Sequence, residues 1–348
     1  MLVNNLKRKA TVAGMVAAAL ITTTLSLAPS AQAGTSALKK SLKVFVIPKN
    51  LGNSYFTTAD SVKSGGALAA LKTLGEVGAE TSGTTDTPAS QIPIIQADIT
   101  KGANALIVSA TDPSALCPTL NKAMKDGIVV VTYDSDAPAC RTLFVNQATA
   151  EGLGESEVDI IASEIHDTGE IGIVSASASD TNQNTWISWM KVELKKYPKI
   201  TLEPVVYGND DTATSTTVTQ GLLSRYPDLK GIISPTTVGI AAAAAVLDTA
   251  HYRGKVMLTG LGTPDEMKKY VADGTVKEFE LWNPNSLGYL AAYAVTSITS
   301  HVITPKVGQT FRAGNLGTYT IIKGVGGLQV VLGPPFVFTK ANVGQFNF

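Results

Sequence analysis

The chain has 348 residues, 44% hydrophobic and 16% charged, enough apolar material for two α/β domains with their own cores. Lys plus Arg balances Asp plus Glu at 28 each. Nothing in that balance suggests a polyanionic partner, and no basic run beyond the N-terminus points to nucleic acid.

The N-terminus reads as a secretory signal. Lys7, Arg8 and Lys9 form a positive n-region, and an Ala/Val/Leu/Thr-rich stretch follows from Ala10 to Leu27. Pro29 and then Ala31-Gln32-Ala33 make a small-x-small cleavage site, so residues 1–33 are expected to be removed after Ala33. Gly14, the threonines and the c-region argue against an uncleaved anchor. No Cys at the cleavage site could accept a lipid. The mature chain is therefore expected outside the cytoplasm, most simply in a Gram-negative periplasm. Its net charge falls to −3, with 25 Lys and Arg against 28 Asp and Glu.

Apolar strands and amphipathic helices then alternate. Leu42–Ile47 reads as a strand, ending in the donor-rich loop 48–56 and a helix to about Leu74. A strand follows at Glu76–Gly83, and Pro88 opens the next helix, in which Pro93 is awkward. Ala105–Val108 is a strand tipped by Ser109 to Pro113, which starts a helix over Ser114–Lys125. Ile128–Asp136, IVVVTYDSD, is the clearest case: a buried strand that turns abruptly polar at Tyr133 and Asp134. Leu143–Val145 is short, and Asn146 is a hinge candidate.

The pattern restarts with a helix (Ala148–Ile165), a strand (Ile171–Ser175) and the polar tip Ser177–Asn184. A helix carrying Trp186 and Trp189 precedes the strand Leu202–Tyr207. After a helix to Arg225 come the strand Gly231–Ser234, its tip Pro235-Thr236-Thr237 and an Ala-rich helix. Strands at Val256–Thr259 and Val276–Leu281 follow, the second ending in Trp282-Asn283-Pro284. A helix from Ser286 to about His301 is expected to return to the first domain, and the Gly-rich tail 307–348 to complete both sheets. The expected fold is α/β, two doubly wound parallel-sheet lobes joined by several crossings. The expected N-terminal lobe is 41–145 plus 285–318, and the C-terminal lobe 146–284 plus 319–348.

In such folds, ligands bind at the carboxyl ends of the strands. Asp134 there can accept two charge-assisted hydrogen bonds from neighbouring hydroxyls, or serve only as a turn residue. Lys49 can donate to hydroxyl or carbonyl oxygens, while Asn182 and Gln183 can donate and accept. Tyr55, Phe56, Trp186 and Trp282 offer flat surfaces for the C–H face of a ring, though at least one of Trp186 and Trp189 is expected in the core. Asn53 and Asn283, at two of the tips, complete the candidate ligand-binding set. Cys117 and Cys140 are the only cysteines. Export permits them to bridge and brace a loop beside the crevice; two unpaired thiols are the alternative.

An enzyme is not indicated. His166, His251 and His301 are scattered without metal-ligand spacing. Gly260-Leu261-Gly262 lacks the third glycine of a dinucleotide fingerprint, and there is no phosphate loop or nucleophile elbow. No cofactor, catalytic residue or metal site is expected.

The stretches PKNLGNSYF, VSATDPSALCPTLNKAM, TYDSDAPACR, TNQNTW, ISPTTVGIAAAA and GTVKEFELWNP resemble the periplasmic sugar-binding proteins of ABC importers (type I, ribose-binding-like). Within that family they are similar to the branch holding the rhamnose-binding protein and the autoinducer-2 receptor. The likeness spans essentially the whole mature chain. It implies two lobes joined by three strands, closing on ligand, with contacts at Lys49, Asp134, Asn182, Gln183, Pro235 and Thr237. It also implies a permease and ATPase as partners, a chemoreceptor in the sensory reading, and a monomer. The paired cysteines and GTVKEF look like the autoinducer-2 receptor. Asn182, Thr237 and Trp282-Asn283-Pro284 look like the rhamnose type, since the receptor usually has Asp and Ala at the first two positions. Contact residues weigh more than loop bracing, because an unpaired buried polar group costs about 1–3 kcal/mol. The expected ligand is thus rhamnose or a similar deoxy-sugar.

Overall fold

A computed structural model describes residues 37–348; the signal-peptide expectation lies outside that range. In chain order the first run is β1 (Lys43–Ile47), α1 (Ser54–Asp60), α2 (Ala67–Leu74), β2 (Val77–Glu80), α3 (Pro88–Thr100), β3 (Ala105–Val108), α4 (Pro113–Lys125), β4 (Val129–Tyr133) and β5 (Leu143–Asn146). The second run is α5 (Ala150–Glu164), β6 (Gly169–Ser175), α6 (Thr181–Glu193), β7 (Ile200–Tyr207), α7 (Thr212–Arg225), β8 (Leu229–Ser234), α8 (Thr237–Thr249), β9 (Met257–Gly260), α9 (Pro264–Ala272) and β10 (Glu278–Leu281). The remainder is α10 (Pro284–Thr299), β11 (Thr310–Arg312), β12 (Thr318–Thr320), β13 (Ile322–Gly324), β14 (Gly327–Val331) and β15 (Phe336–Thr339).

The strands form a seven-stranded sheet in the order β13-β14-β5-β4-β3-β1-β2 and a four-stranded sheet in the order β7-β6-β8-β9. A parallel bridge from Leu261 to Glu280 leads on to the β10-β15 pair. All pairings from β1 to β5 and from β6 to β9 are parallel. Such strands are covered on both faces and read as unbroken apolar runs. In β1, Val44 and Val46 join one core cluster, while Phe45 and Ile47 join the other with Leu116 and Leu120 of α4. That is the period of two that a strand imposes.

Helix starts follow local chemistry. Thr87 and Asp112 cap α3 and α4 by accepting from the amides of Ser90 and Ala115, and Pro88 and Pro113 take the first turn. Helix α3 continues through Pro93.

Two expectations are corrected. The helix expected up to Leu74 is two helices, α1 and α2. A Cβ on Gly66 would lie 2.0 Å from the Ala59 carbonyl oxygen, and one on Gly288 of α10 1.9 Å from the same atom. This close approach lets α10 pack on α1 and α2, over β3–β5. The boundary expected between residues 318 and 319 also moves. Strands β13 and β14 pair into the seven-stranded sheet beside β5, whereas β15 pairs with β10. The last crossing therefore follows Val331. With the passages after β5 and after β10, the chain runs three times between the two sheets.

Cys117 of α4 and Cys140 are bridged, with Cα atoms 5.2 Å apart. Closing a loop of sequence separation 23 removes unfolded-state entropy worth about 3 kcal/mol. Reduction, or the double Cys→Ser variant, is expected to lower stability by about that amount in urea titrations. Overlapping curves with and without reductant would show that the bridge carries no stability.

Beneath β10 lies a buried carboxyl pair. Glu157 of α5 and Glu280 are both fully buried; Ser156 Oγ donates to Glu280 Oε2 at 2.8 Å, and Glu157 accepts no hydrogen bond among the described residues. Burial raises Glu280 to about 7, opposed by Ser156. Burial, then Glu280, pushes Glu157 well above the usual carboxylate range. Both groups are raised above their unfolded values near 4.3. Their stabilising, protonated state is therefore complete below that pH and is lost as pH rises through the folded values. The melting temperature should fall from about pH 5 to about pH 8, and Glu157→Gln should flatten the fall. Parallel melting profiles for wild type and variant would exclude the pair as the cause.

Candidate functional site

The carboxyl ends of both sheets converge on one pocket. From the seven-stranded side come Lys49 after β1, Asn53, Tyr55 and Phe56 at the start of α1, and Asp134 after β4. From the other side come Asn182, Gln183 and Trp186 of α6, Asp210 after β7, Pro235, Thr236 and Thr237 around the start of α8, Leu261 after β9, and Leu281 and Trp282 at the end of β10. The space among them is small, about 30 Å³, and partly open to solvent.

Asp134 sits at φ 58°, in the left-handed region that Asp tolerates better than most residues. Ser109 Oγ donates to its Oδ2 at 2.7 Å, and Asn182 Nδ2 approaches its Oδ1 at 3.4 Å from the other sheet. Burial raises the Asp134 carboxyl, while Lys49 and the Ser109 hydrogen bond oppose the shift. Gln183 is fixed by its own strand end, because its Oε1 accepts from Ser175 Oγ at 2.6 Å and from the Ala176 amide at 2.7 Å. Its amide nitrogen remains as a donor.

Lys49 is 2% exposed and donates to Asp180 Oδ2 at 2.9 Å across the two sheets. Burial pulls its pKa down, but Asp180, Asp86, Asp134 and Asp210 outweigh that and hold the ammonium well above its usual value. Asp180, fully buried, is pushed up to about 6 by burial and by Asp210, in spite of Lys49.

The apolar wall is an aromatic chain. Trp282 meets Tyr55 and Trp186 at ring-centroid distances of 6.0 Å each, and Tyr55 meets Phe56 at 5.1 Å. Trp282 Nε1 donates to the Tyr55 hydroxyl at 2.9 Å. Both tryptophan rings remain nearly buried, Trp186 at 3% and Trp282 at 2% exposure. The sheets are further tied by Thr181 Oγ1 donating to the Asp136 carbonyl at 2.8 Å and Ser179 Oγ to the Thr111 carbonyl at 3.0 Å.

Of the residues expected from the sequence, Lys49, Asn53, Phe56, Asp134, Asn182, Gln183, Trp186, Pro235, Thr237 and Trp282 line this pocket. Asn283 does not. Its Oδ1 accepts from the amides of Asn285 and Ser286, at 3.1 and 3.4 Å, and so caps α10. Asn53 has a capping role too, accepting from the Tyr55 amide at 3.0 Å. Asp210 was missed, although an acidic turn directly after β7 carried the same signal as Asp134. Thr236, Leu261 and Leu281 were also missed as lining residues; nothing but their place at strand ends marked them.

Residues 44–301 match the family model described as a periplasmic binding protein domain. A solute-binding protein of an ABC transporter from Clostridium phytofermentas, solved with bound L-rhamnose, is 34% identical. The match covers 88% of this chain and 98% of that one, with a TM-score of 0.85. A sugar ABC transporter protein from Actinomyces odontolyticus is 41% identical over 89% of this chain and 100% of that one, with a TM-score of 0.68. LsrB from Clostridium saccharobutylicum, in complex with AI-2, is 25% identical over 88% and 100%, with a TM-score of 0.82. The D-ribose/D-allose-binding protein of Pseudomonas aeruginosa is 25% identical over 276 residues, 75% of this chain and 83% of that protein. The chain belongs to the periplasmic binding protein family, as a type I sugar-binding protein of the ABC importers. The family is one of solute-binding proteins and not of enzymes.

Proposed function

We propose that this protein captures a small sugar, rhamnose or a similar deoxy-sugar, between its two sheets outside the cytoplasmic membrane and presents it to an ABC permease. One observation carries the reading. A buried carboxyl acceptor, Asp134, and the polar groups of Asn182, Gln183 and Thr237 line one pocket opposite an aromatic wall. Polyols need this combination, with charge-assisted hydrogen bonds to hydroxyls and flat apolar surface for the C–H face. The likeness to the L-rhamnose-bound protein supports the choice of sugar.

Capture works through closure. Lys49, Asp134 and Phe56 stand on one sheet, and Asn182, Gln183 and Thr237 on the other. A ligand touching both sets therefore favours the apposed state over an open one by its differential contacts. The lobes proposed for this motion are 41–145 with 284–331, and 146–283 with 332–348, following the strand pairing.

Autoinducer-2 uptake or sensing is a second reading, supported by the likeness to LsrB and by the bridged Cys117–Cys140. Calorimetric titration of mature protein, unfolded and refolded to strip carried ligand, separates the two. Saturable one-to-one binding of L-rhamnose alone is expected. Binding of autoinducer-2 alone would transfer the protein to signal capture, and binding of neither would remove the ligand assignment.

A further inference from the structure

Beside the sugar pocket, three carboxylates from separate loops meet. Asp86 lies between β2 and α3, Asp180 directly before α6, and Asp210 between β7 and α7. Their oxygens, one from each, lie within 4.8 Å of one another. Two oxygens on opposite sides of a calcium ion, each about 2.4 Å away, are separated by about that distance. The grouping thus has the span of a single coordination sphere.

Burial is what separates this cluster from an ordinary acidic surface. Asp180 is fully buried and Asp86 only 8% exposed. Both Asp86 oxygens and Asp180 Oδ1 lack a hydrogen-bond donor among the described residues. Lys49 occupies Asp180 Oδ2, and the Thr236 hydroxyl donates to Asp210 Oδ1. The Lys49 ammonium donates to Asp180 and to neither of the other two carboxyl groups among the described residues, and a buried polar group without a partner is costly. A purely oxygen donor set suits a hard cation and not a soft transition metal.

We propose that Asp86, Asp180 and Asp210 bind a divalent cation of the calcium type that clasps the two sheets beside the sugar. Asp86 belongs to the seven-stranded side, and Asp180 and Asp210 to the four-stranded side. The ion stabilises the same apposed arrangement that a ligand in the pocket requires, so cation and sugar strengthen each other's binding by equal factors. The coupling rests on the sugar-capture reading; the cation site does not.

The test is calorimetric titration of calcium chloride into mature protein, chelator-treated and refolded, without sugar. Saturable one-to-one binding with a rise in melting temperature is expected. Asp86→Asn, its folding checked by circular dichroism, should weaken calcium binding about tenfold or more. Asp210→Asn serves if the first variant does not fold. L-rhamnose affinity should then fall about fivefold or more in wild type without calcium. Absence of calcium binding, or equal calcium affinity in wild type and the folded variant, overturns the site. Unchanged rhamnose affinity with calcium bound overturns the coupling alone. Failure of rhamnose to bind leaves the calcium titration readable.

Discussion

Asp134→Asn is expected to leave the fold intact and to weaken sugar binding at least about a hundredfold. A carboxylate accepting from two ligand hydroxyls makes hydrogen bonds worth about 1.5–3 kcal/mol each, and about 1.4 kcal/mol is tenfold in affinity. Asn replaces one acceptor by a donor, which meets a hydroxyl already donating or the Ser109 hydroxyl held at 2.7 Å. Asn is the cleaner variant, because at φ 58° an Ala would add backbone strain to the loss of the acceptor. Calorimetry and a thermal melt together check this. Wild-type affinity in a folded variant would take Asp134 out of the site.

Trp282→Ala is expected to cost about 3–5 kcal/mol of stability and to loosen the closed state. The ring is 2% exposed and touches Tyr55 from the other sheet and Trp186 from its own. Its loss opens a cavity between the sheets and strips the Tyr55 hydroxyl of its donor. Trp282→Phe should recover much of the packing and none of the hydrogen bond, so it should fall between the two. Urea midpoints for the three proteins decide it. A loss below about 1 kcal/mol for the alanine variant would mean that the aromatic wall does not hold the sheets together.

The parallel strands were legible because both of their faces are covered. Runs such as Ile128–Val131 leave few alternatives, and the polar residue after each run had to sit at a strand end. Lys49, Asp134, Asn182 and Pro235 follow from that rule alone. Features made by distant segments were not legible. The break between α1 and α2 depends on the Ala59 carbonyl meeting both Gly66 and Gly288, a contact that no local pattern announces. Asn283 had the chemistry of a ligand contact, but the nearby amides of Asn285 and Ser286 claim its oxygen. The grouping of Asp86, Asp180 and Asp210 needs three loops from two sheets, and each carboxylate alone reads as a turn residue.

The tail has a consequence for the order in which the molecule is made. Strand β14 completes the seven-stranded sheet beside β5, and a few residues later β15 takes its place against β10. The seven-stranded sheet and strand β10 thus both wait for partners far along the chain, and contacts so distant in sequence form slowly. The same arrangement makes β14 and β15 an assembly checkpoint. A product ending early lacks a strand from each half at once, and both would be exposed together to proteolysis.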